Sequence, residues 1–304
     1  MVQSNTLIRI DRQESPKGDA WKDLLQLSDG ETVEVVVLRY RTEQPEIGPD
    51  HRDRYSVCIS TQVGCACGCR FCATGQMGFV RQLSSEEIIA QVIHVQHELS
   101  GRGQQLSNVV LMGMGEPLLN ETEVFPSLER LLDPRGLAFA PRRVTLSTVG
   151  IAPGIRHLAD AGFKVKLAVS LHAATDALRN TLMPINRRYP LDELISAVRY
   201  YVGRTGRRIL FEWVMIDGVN DGIEQAEALA ARLADLPAHV NLIQLNPTAA
   251  FQGQPATPAA VDAFVALLEQ HRIPHTMRQR RGAGIAAGCG QLRSRMTTEA
   301  GPLS

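Results

Sequence analysis

The sequence predicts an α/β protein built on a parallel sheet. Past about residue 55, short apolar runs alternate with longer stretches of helical period. The runs are rich in Val, Ile and Leu and apolar nearly throughout, as strands buried on both faces are. The residues capable of chemistry fall, group after group, just beyond the carboxyl ends of those runs, and in α/β barrels that end carries the active site.

Taken in order, residues 1–50 read as a polar, irregular N-terminal extension with one or two strands, of which ETVEVVVLRYR is the clear one. Residues 51–292 form the core, and 293–304 a short tail. Strands are expected at YSVCIST, SNVVLMG, RRVTLST, VKLAVSL, ILFEWVM, VNLIQLN and PHTMR. Helices are expected between them. SSEEIIAQVIHVQHEL opens with Ser84 or Ser85 as cap and glutamates in its first turn. LDELISAVRYYVGR, GIEQAEALAARLADL and TPAAVDAFVALLEQH follow the same pattern. Parallel strands joined by crossovers fit an open sheet covered on both faces, and equally a closed or partial barrel.

With 304 residues, 44% of them hydrophobic and 21% charged, the chain buries a core without staples. No apolar run approaches the roughly 20 residues of a membrane helix. The N-terminus lacks an apolar signal region, so a cytoplasmic protein with no membrane partner is expected. A formal net charge of +0 speaks against wholesale coating of nucleic acid but allows a local basic face. Arg142, Arg143, Arg187, Arg188, Arg278, Arg280 and Arg281 are candidates for one near the proposed mouth.

Six cysteines are present, and Cys65, Cys67, Cys69 and Cys72 crowd into one loop after the first core strand. In a cytosolic chain such clustering reads as metal ligation or thiol chemistry rather than a disulfide framework. Cys65, Cys69 and Cys72 form C-x3-C-x2-C, with Cys67 interleaved. One reading is a closed four-thiolate site for zinc or iron–sulfur. The favoured one is a three-cysteine [4Fe–4S] cluster whose fourth iron is open to a ligand.

That spacing resembles the radical S-adenosylmethionine (SAM) superfamily. The string CISTQVGC-x3-C-x2-CATGQMGF, followed by GMGEPLLN, RRVTLSTVG, SLHAATDALRNTLMPIN, NLIQLNP and RRG-x6-CGQL, is similar to the RlmN/Cfr family of ribosomal RNA adenine methyltransferases over most of the chain. The resemblance implies a partial (β/α)6 barrel of the radical SAM type. It implies a [4Fe–4S] cluster on Cys65, Cys69 and Cys72, with SAM as second cofactor. The implied reaction is methylation of an sp2 carbon of an adenosine in 23S rRNA, with tRNA as a further candidate. C2 is the first choice of carbon and C8 the second. C2 of adenine is electron-poor and does not attack a sulfonium, so carbon-radical chemistry suits it.

The same resemblance gives residues their roles. Cys289 would accept a methyl from SAM, and Cys58 would later attack the Cys289 sulfur to release product. Glu34 matches a position assigned as proton acceptor. Gly115, Glu116, Ser147, Ser170, Leu171, His172 and Asn246 would line the SAM site. An electron donor such as flavodoxin or ferredoxin would serve a monomeric enzyme. The polar start before Cys58 does not look like the N-terminal accessory domain of the ribosomal enzymes, so that domain is expected to be missing, and GAGIAAGCG replaces the family's acidic residues beside the second cysteine. An alternative therefore keeps the methyl-cysteine chemistry and changes the substrate to a small molecule, a peptide or another RNA.

Overall fold

The computed structural model describes residues 7–41, 53–246, 248, 250–279 and 281–292. The chain opens as an antiparallel meander of β1 (Ile8–Glu14), β2 (Ala20–Gln26) and β3 (Thr32–Tyr40). The next strand, β4 (Arg54–Cys58), pairs antiparallel with β3. A separate hairpin, β5 (Gln62–Gly64) and β6 (Phe79–Gln82), then brackets the cysteine loop and the short α1 (Ala73–Met77).

From there helix and strand alternate. The order runs α2 (Ser85–Gly101), β7 (Leu106–Leu111), α3 (Glu121–Leu132), β8 (Val144–Thr148), α4 (Ala152–Asp160) and β9 (Lys166–Ser170). It continues through α5 (Asp176–Leu182), α6 (Leu191–Thr205), β10 (Ile209–Met215), α7 (Ile223–Leu233), β11 (Ala238–Gln244), α8 (Pro258–Gln270) and β12 (His275–Met277). The main sheet has ten strands, ordered β1-β2-β3-β4-β7-β8-β9-β10-β11-β12. Every neighbour pair from β4 to β12 is parallel. Six crossovers with helices thus build the expected (β/α)6 unit. It stays open, since β12 ends one edge and β1 the other.

All seven expected core strands form, and burial explains why they read as apolar runs. Val57, Val109, Leu146, Val169, Phe211 and Leu242 are fully buried and lie in one continuous core. The cap of α2 is Ser84, not Ser85. Its hydroxyl accepts from Glu87 N at 3.2 Å, and the Glu87 carboxylate accepts from Ser84 N at 2.9 Å, a reciprocal capping box.

The N-terminal segment departs from expectation. It holds three strands rather than one or two, and they continue the main sheet. Charged residues buried inside it hid the pattern. Lys22 pairs with Glu34 at 2.8 Å, and both are nearly inaccessible. Asp23 receives two hydrogen bonds from Arg12, at 2.6 and 2.7 Å, and faces His94 at 3.0 Å. Among the described residues, Asp23, His94 and Glu98 are the one group whose ligand atoms lie within 4.8 Å of one another. Arg12 binds both carboxylates and supplies the positive charge there. No described helix is long and apolar enough to cross a membrane.

Candidate active site

A cavity of about 180 Å³ opens at the carboxyl ends of the parallel strands. Its wall takes Cys58 from β4, Gly115 and Glu116 after β7, Ser147 from β8, Ser170 from β9 and His172 just beyond it. Asn246 after β11, Cys289, and the loop cysteines Cys69 and Cys72 complete it. Residues predicted from separate strands therefore meet in one space. Cys65, Leu171 and Glu34 do not line it.

The cysteine loop is held by backbone. Cys65 N donates to Gly78 O at 2.7 Å, Arg70 N to Leu182 O at 3.0 Å, and Cys72 N to Cys69 O at 3.1 Å. Burial pushes the Cys69 thiol well up, and the neighbouring Cys72 and Cys65 add to it. Buried soft donors that repel one another as anions suit a cationic iron–sulfur core, which neutralises them. The sulfurs are too dispersed for one tetrahedral ion: a zinc–sulfur bond of about 2.3 Å puts ligand sulfurs roughly 3.8 Å apart, and no three cysteine sulfurs among the described residues share a 4.8 Å neighbourhood. A cubane takes each thiolate on a different iron, so the residues present fit that group. Cys67 is buried and hydrogen-bonds with Cys65.

Behind this loop lies Arg179, with no exposed surface. Its Nε donates to Leu171 O at 3.0 Å, Nη1 to Asn186 Oδ1 at 2.7 Å, and Nη2 to Val149 O at 2.6 Å and Ser170 O at 3.1 Å. Burial lowers its pKa to about 10, against the pull of Cys69 and Asp176. The guanidinium ties the ends of β8 and β9 together and places a positive charge beside the cysteines. Leu171 contributes from behind the wall, through its carbonyl.

Glu116 is buried. Its Oε1 accepts from Leu118 N at 3.0 Å and its Oε2 from Val149 N at 2.7 Å. Burial nevertheless raises its pKa to about 7, with those hydrogen bonds opposing. The turn that delivers it requires Gly115, whose φ is +101° and whose absent Cβ would lie 2.6 Å from Gln62 Cβ. His172 also has left-handed backbone, at φ 58°. Its Nδ1 accepts from Val214 N at 3.0 Å, which puts the ring proton on Nε2. Burial, then Arg179, lower its pKa to about 3, so the ring is neutral at physiological pH. It packs edge-on against Phe71 of the cysteine loop, with ring centroids 4.9 Å apart.

The two isolated cysteines differ in setting. Burial, then the nearby Cys289, push the Cys58 thiol up to about 12. Cys289 is exposed, and its sulfur accepts from Arg278 Nη1 at 3.7 Å. Arg278 also reaches Glu212 Oε2 at 3.5 Å, and Asn241 Nδ2 holds Glu212 Oε1 at 2.9 Å. Cys289, then Glu212, keep the Arg278 guanidinium firmly protonated.

The Cys289 loop is pinned on three sides. Asn246 Nδ2 donates to Cys289 O at 3.1 Å. From α1, Ala73 N donates to Gly290 O at 2.7 Å and Thr74 Oγ1 to Leu292 O at 2.6 Å. From β2, Lys22 Nζ donates to Ala286 O at 3.2 Å. Glu34 is buried and pairs with that same lysine, which links it to the Cys289 loop.

The basic candidates separate. Arg142 and Arg143 precede β8, which puts them at the amino end of the strand, away from the mouth. Arg187 and Arg188 line neither cavity described here. Arg280 lies outside the described residues. Arg278 and Arg281 do stand at the mouth, where Arg281 covers the Tyr40 ring at 4.8 Å. Sequence reasoning missed Arg179, Glu212 and Gln244 as wall or support. Glu212, a lone carboxylate in the apolar run ILFEWVMI, was the one with a readable signal.

Residues 59–230 match the radical SAM superfamily. The dual-specificity RNA methyltransferase RlmN 1 of Myxococcus xanthus is 51% identical over 280 residues, covering 92% of this chain and 75% of that protein. A probable dual-specificity RNA methyltransferase RlmN of Moorella thermoacetica is 49% identical over 288 residues, covering 93% and 78% respectively. The crystal structure of a radical SAM methyltransferase from Sphaerobacter thermophilus superimposes with a TM-score of 0.89 at 45% identity, covering 95% of this chain and 81% of that one.

Proposed function

Because this chain belongs to the radical SAM superfamily and, within it, to the RlmN family of RNA methyltransferases, we propose that it methylates an sp2 carbon of an adenosine in 23S rRNA, with tRNA as second substrate. C2 is the proposed carbon, with C8 the alternative, and the methyl travels through an S-methylcysteine. The observation that carries this reading is the single cavity that Cys58, Cys289, Glu116 and the loop cysteines Cys69 and Cys72 share. An electron donor of the flavodoxin or ferredoxin type, action as a monomer and a cytoplasmic location belong to the same proposal.

Cys65, Cys69 and Cys72 would hold the [4Fe–4S] cluster, and Glu116 would receive the ammonium of SAM. When bound, these cofactors supply one-electron cleavage of SAM to a 5′-deoxyadenosyl radical. Cys289 is the methyl acceptor because it is exposed, while Cys58 is only partly accessible and its thiol stays protonated. Arg278 holds the Cys289 sulfur in place, and Asn246 fixes the backbone beneath it. Once the methyl carbon is bonded to the base, Cys58 loses its proton and attacks the Cys289 sulfur. An S–S bond forms, the S–C bond breaks with its electron pair passing to the base-bound carbon, which takes up a proton to become the methyl group, and the disulfide must be reduced before the next turnover.

The reading is tested by nucleoside mass spectrometry of 23S rRNA and tRNA incubated with anaerobically reconstituted protein, SAM and reductant. A carbon-methylated adenosine is expected. Unmodified RNA alongside continuing release of 5′-deoxyadenosine would remove RNA as the substrate.

Glu116 gives the site a pH dependence. With a pKa of about 7, its ionised fraction rises about eightfold between pH 6 and pH 7.5. SAM affinity should rise by about the same factor in equilibrium binding, and Glu116→Gln should be weak and flat across that range. The stability of the ligand-free fold responds in the opposite sense. The folded carboxyl binds its proton more tightly than the unfolded one, so its contribution is lost as pH rises from about 4.5 through 7.

A further inference from the structure

The loop that presents Cys289 brings few side chains with which to hold a position. Residues 282–292 read GAGIAAGCGQL, without a charged group, so contacts to the backbone fix it. One side of that hold is the N-terminal meander. Arg281, at the entry to the loop, donates from Nη1 to Arg39 O at 3.0 Å and lies over the Tyr40 ring. Gly282 has a φ of +64°, and a Cβ there would stand 3.2 Å from Ala20 Cβ of β2.

Ala286 carries the strain of this docking. Its φ of 49° is left-handed, a region an alanine occupies only where its surroundings fix it. The group that meets it is the Lys22 ammonium, whose Nζ donates to Ala286 O at 3.2 Å. Lys22 is itself fixed, with Nζ 2.8 Å from Glu34 Oε1 and both side chains nearly inaccessible. The register of β2 on β3 pairs Lys22 with Val36 and Leu24 with Glu34, so the two charges are diagonal neighbours on one face of the sheet. A buried ammonium is costly unless paired, and Glu34 supplies the pair. Neither residue lines the first cavity, nor a second of about 340 Å³ beside it that shares Cys289.

We propose that Lys22 is a positioning residue for Cys289. Held by Glu34, its ammonium fixes the Ala286 carbonyl, and with it the turn that aims the Cys289 sulfur three residues later. This rests on the reading of Cys289 as methyl acceptor and names what aims it. Glu34 thereby has a task, orienting the lysine, beside the proton acceptance that the resemblance implies. In the loading step Cys289 gives up its proton and its sulfur bonds to the methyl carbon. The old S–C bond breaks with its electron pair left on the sulfonium sulfur, which becomes a neutral thioether. Such a displacement needs the attacking sulfur in line with the breaking bond. A loop that wanders therefore loses rate without losing SAM affinity.

The test compares reconstituted wild type with the double variant Lys22→Met/Glu34→Met. Replacing both members of a buried ion pair by apolar groups of similar size spares the fold, whereas removing one strands the other. Amide hydrogen exchange in the peptide spanning 282–292 should quicken about tenfold, while peptides from β7 and β9 stay within about twofold. At saturating SAM, single-turnover methyl transfer to Cys289, followed by peptide mass spectrometry, should slow about tenfold with the SAM dissociation constant unchanged within about twofold. Neither measurement involves RNA, so a lost proton acceptor does not register in them. A loop as protected as in wild type, loading at the wild-type rate, or β7 and β9 quickening as much as the loop overturns the assignment. Should wild type bind SAM yet load no methyl onto Cys289, the methyl-acceptor reading falls and takes this inference with it. Loading by wild type and variant alike removes the inference alone.

Discussion

Cys58→Ala enzyme is expected to become covalently tethered to its RNA and to release no product. Cys289 would still take its methyl, and the carbon would still bond to the base, because neither step uses Cys58. Only displacement at the Cys289 sulfur would be missing. No other described thiol can substitute. Cys69 and Cys72 are the remaining cavity cysteines and are the proposed cluster ligands with Cys65, and Cys67 is buried outside the wall. Multiple turnover should fall about 10³-fold or more, as it does when a covalent catalyst's essential thiol or hydroxyl is removed. A denaturing gel of end-labelled RNA would show a band at the combined mass, and nuclease digestion followed by peptide mass spectrometry would place it on Cys289. Cys289→Ala should give neither band nor product. Ordinary turnover by Cys58→Ala, or a crosslink on another residue, would refute the assigned roles.

The core fold was readable because its strands are buried on both faces, which leaves uninterrupted apolar runs from YSVCIST to VNLIQLN. The position of the site was readable for a related reason. Parallel strands send all their carboxyl ends to one side, so motifs scattered from Cys58 to Cys289 converge once the strands are aligned. Where charge is buried, the same logic failed. Lys22 and Asp23 interrupt AWKDLLQ, and only their partners Glu34 and Arg12, distant in sequence, turn that segment into a strand. The α3 helix was hidden by Pro126 within it, and α5 is too short to show a period. Arg142 and Arg143 were placed at the mouth because they adjoin a motif, yet they precede their strand while Ser147 ends it. Gln244 could not be singled out at all. Its place in the wall of the first cavity is a property of three-dimensional surroundings, and nothing in VNLIQLNP announces it.

Arg179→Met should cost more stability than any surface change in the chain. A lone buried cation is itself unfavourable, and apolar replacements of buried ion pairs are often neutral or stabilising. That outcome requires removing both partners, and here the partners cannot be removed. Three of the four are the backbone carbonyls of Val149, Ser170 and Leu171, and the fourth is Asn186 Oδ1, whose amide is committed elsewhere to Asp176 and Asn180. Methionine fills the volume and deprives Val149 O, Ser170 O and Asn186 Oδ1 of this donor, while Leu171 O keeps its bond from Ala173 N at 2.8 Å. At about 1–3 kcal/mol for each unsatisfied buried group, the loss exceeds the relief from removing the charge and takes a large share of the roughly 5–15 kcal/mol that holds a fold together. Lysine keeps the charge but lacks the planar fork that spans β8 and β9, so it should fall between. Denaturant midpoints of the apo-protein should order wild type above Arg179→Lys above Arg179→Met, and iron bound after reconstitution should follow that order, since Ser170 and Leu171 stand directly behind the cysteine loop's side of the cavity. An unchanged midpoint for Arg179→Met would mean that water or a backbone shift satisfies those carbonyls, and that the guanidinium is not what joins the two strand ends.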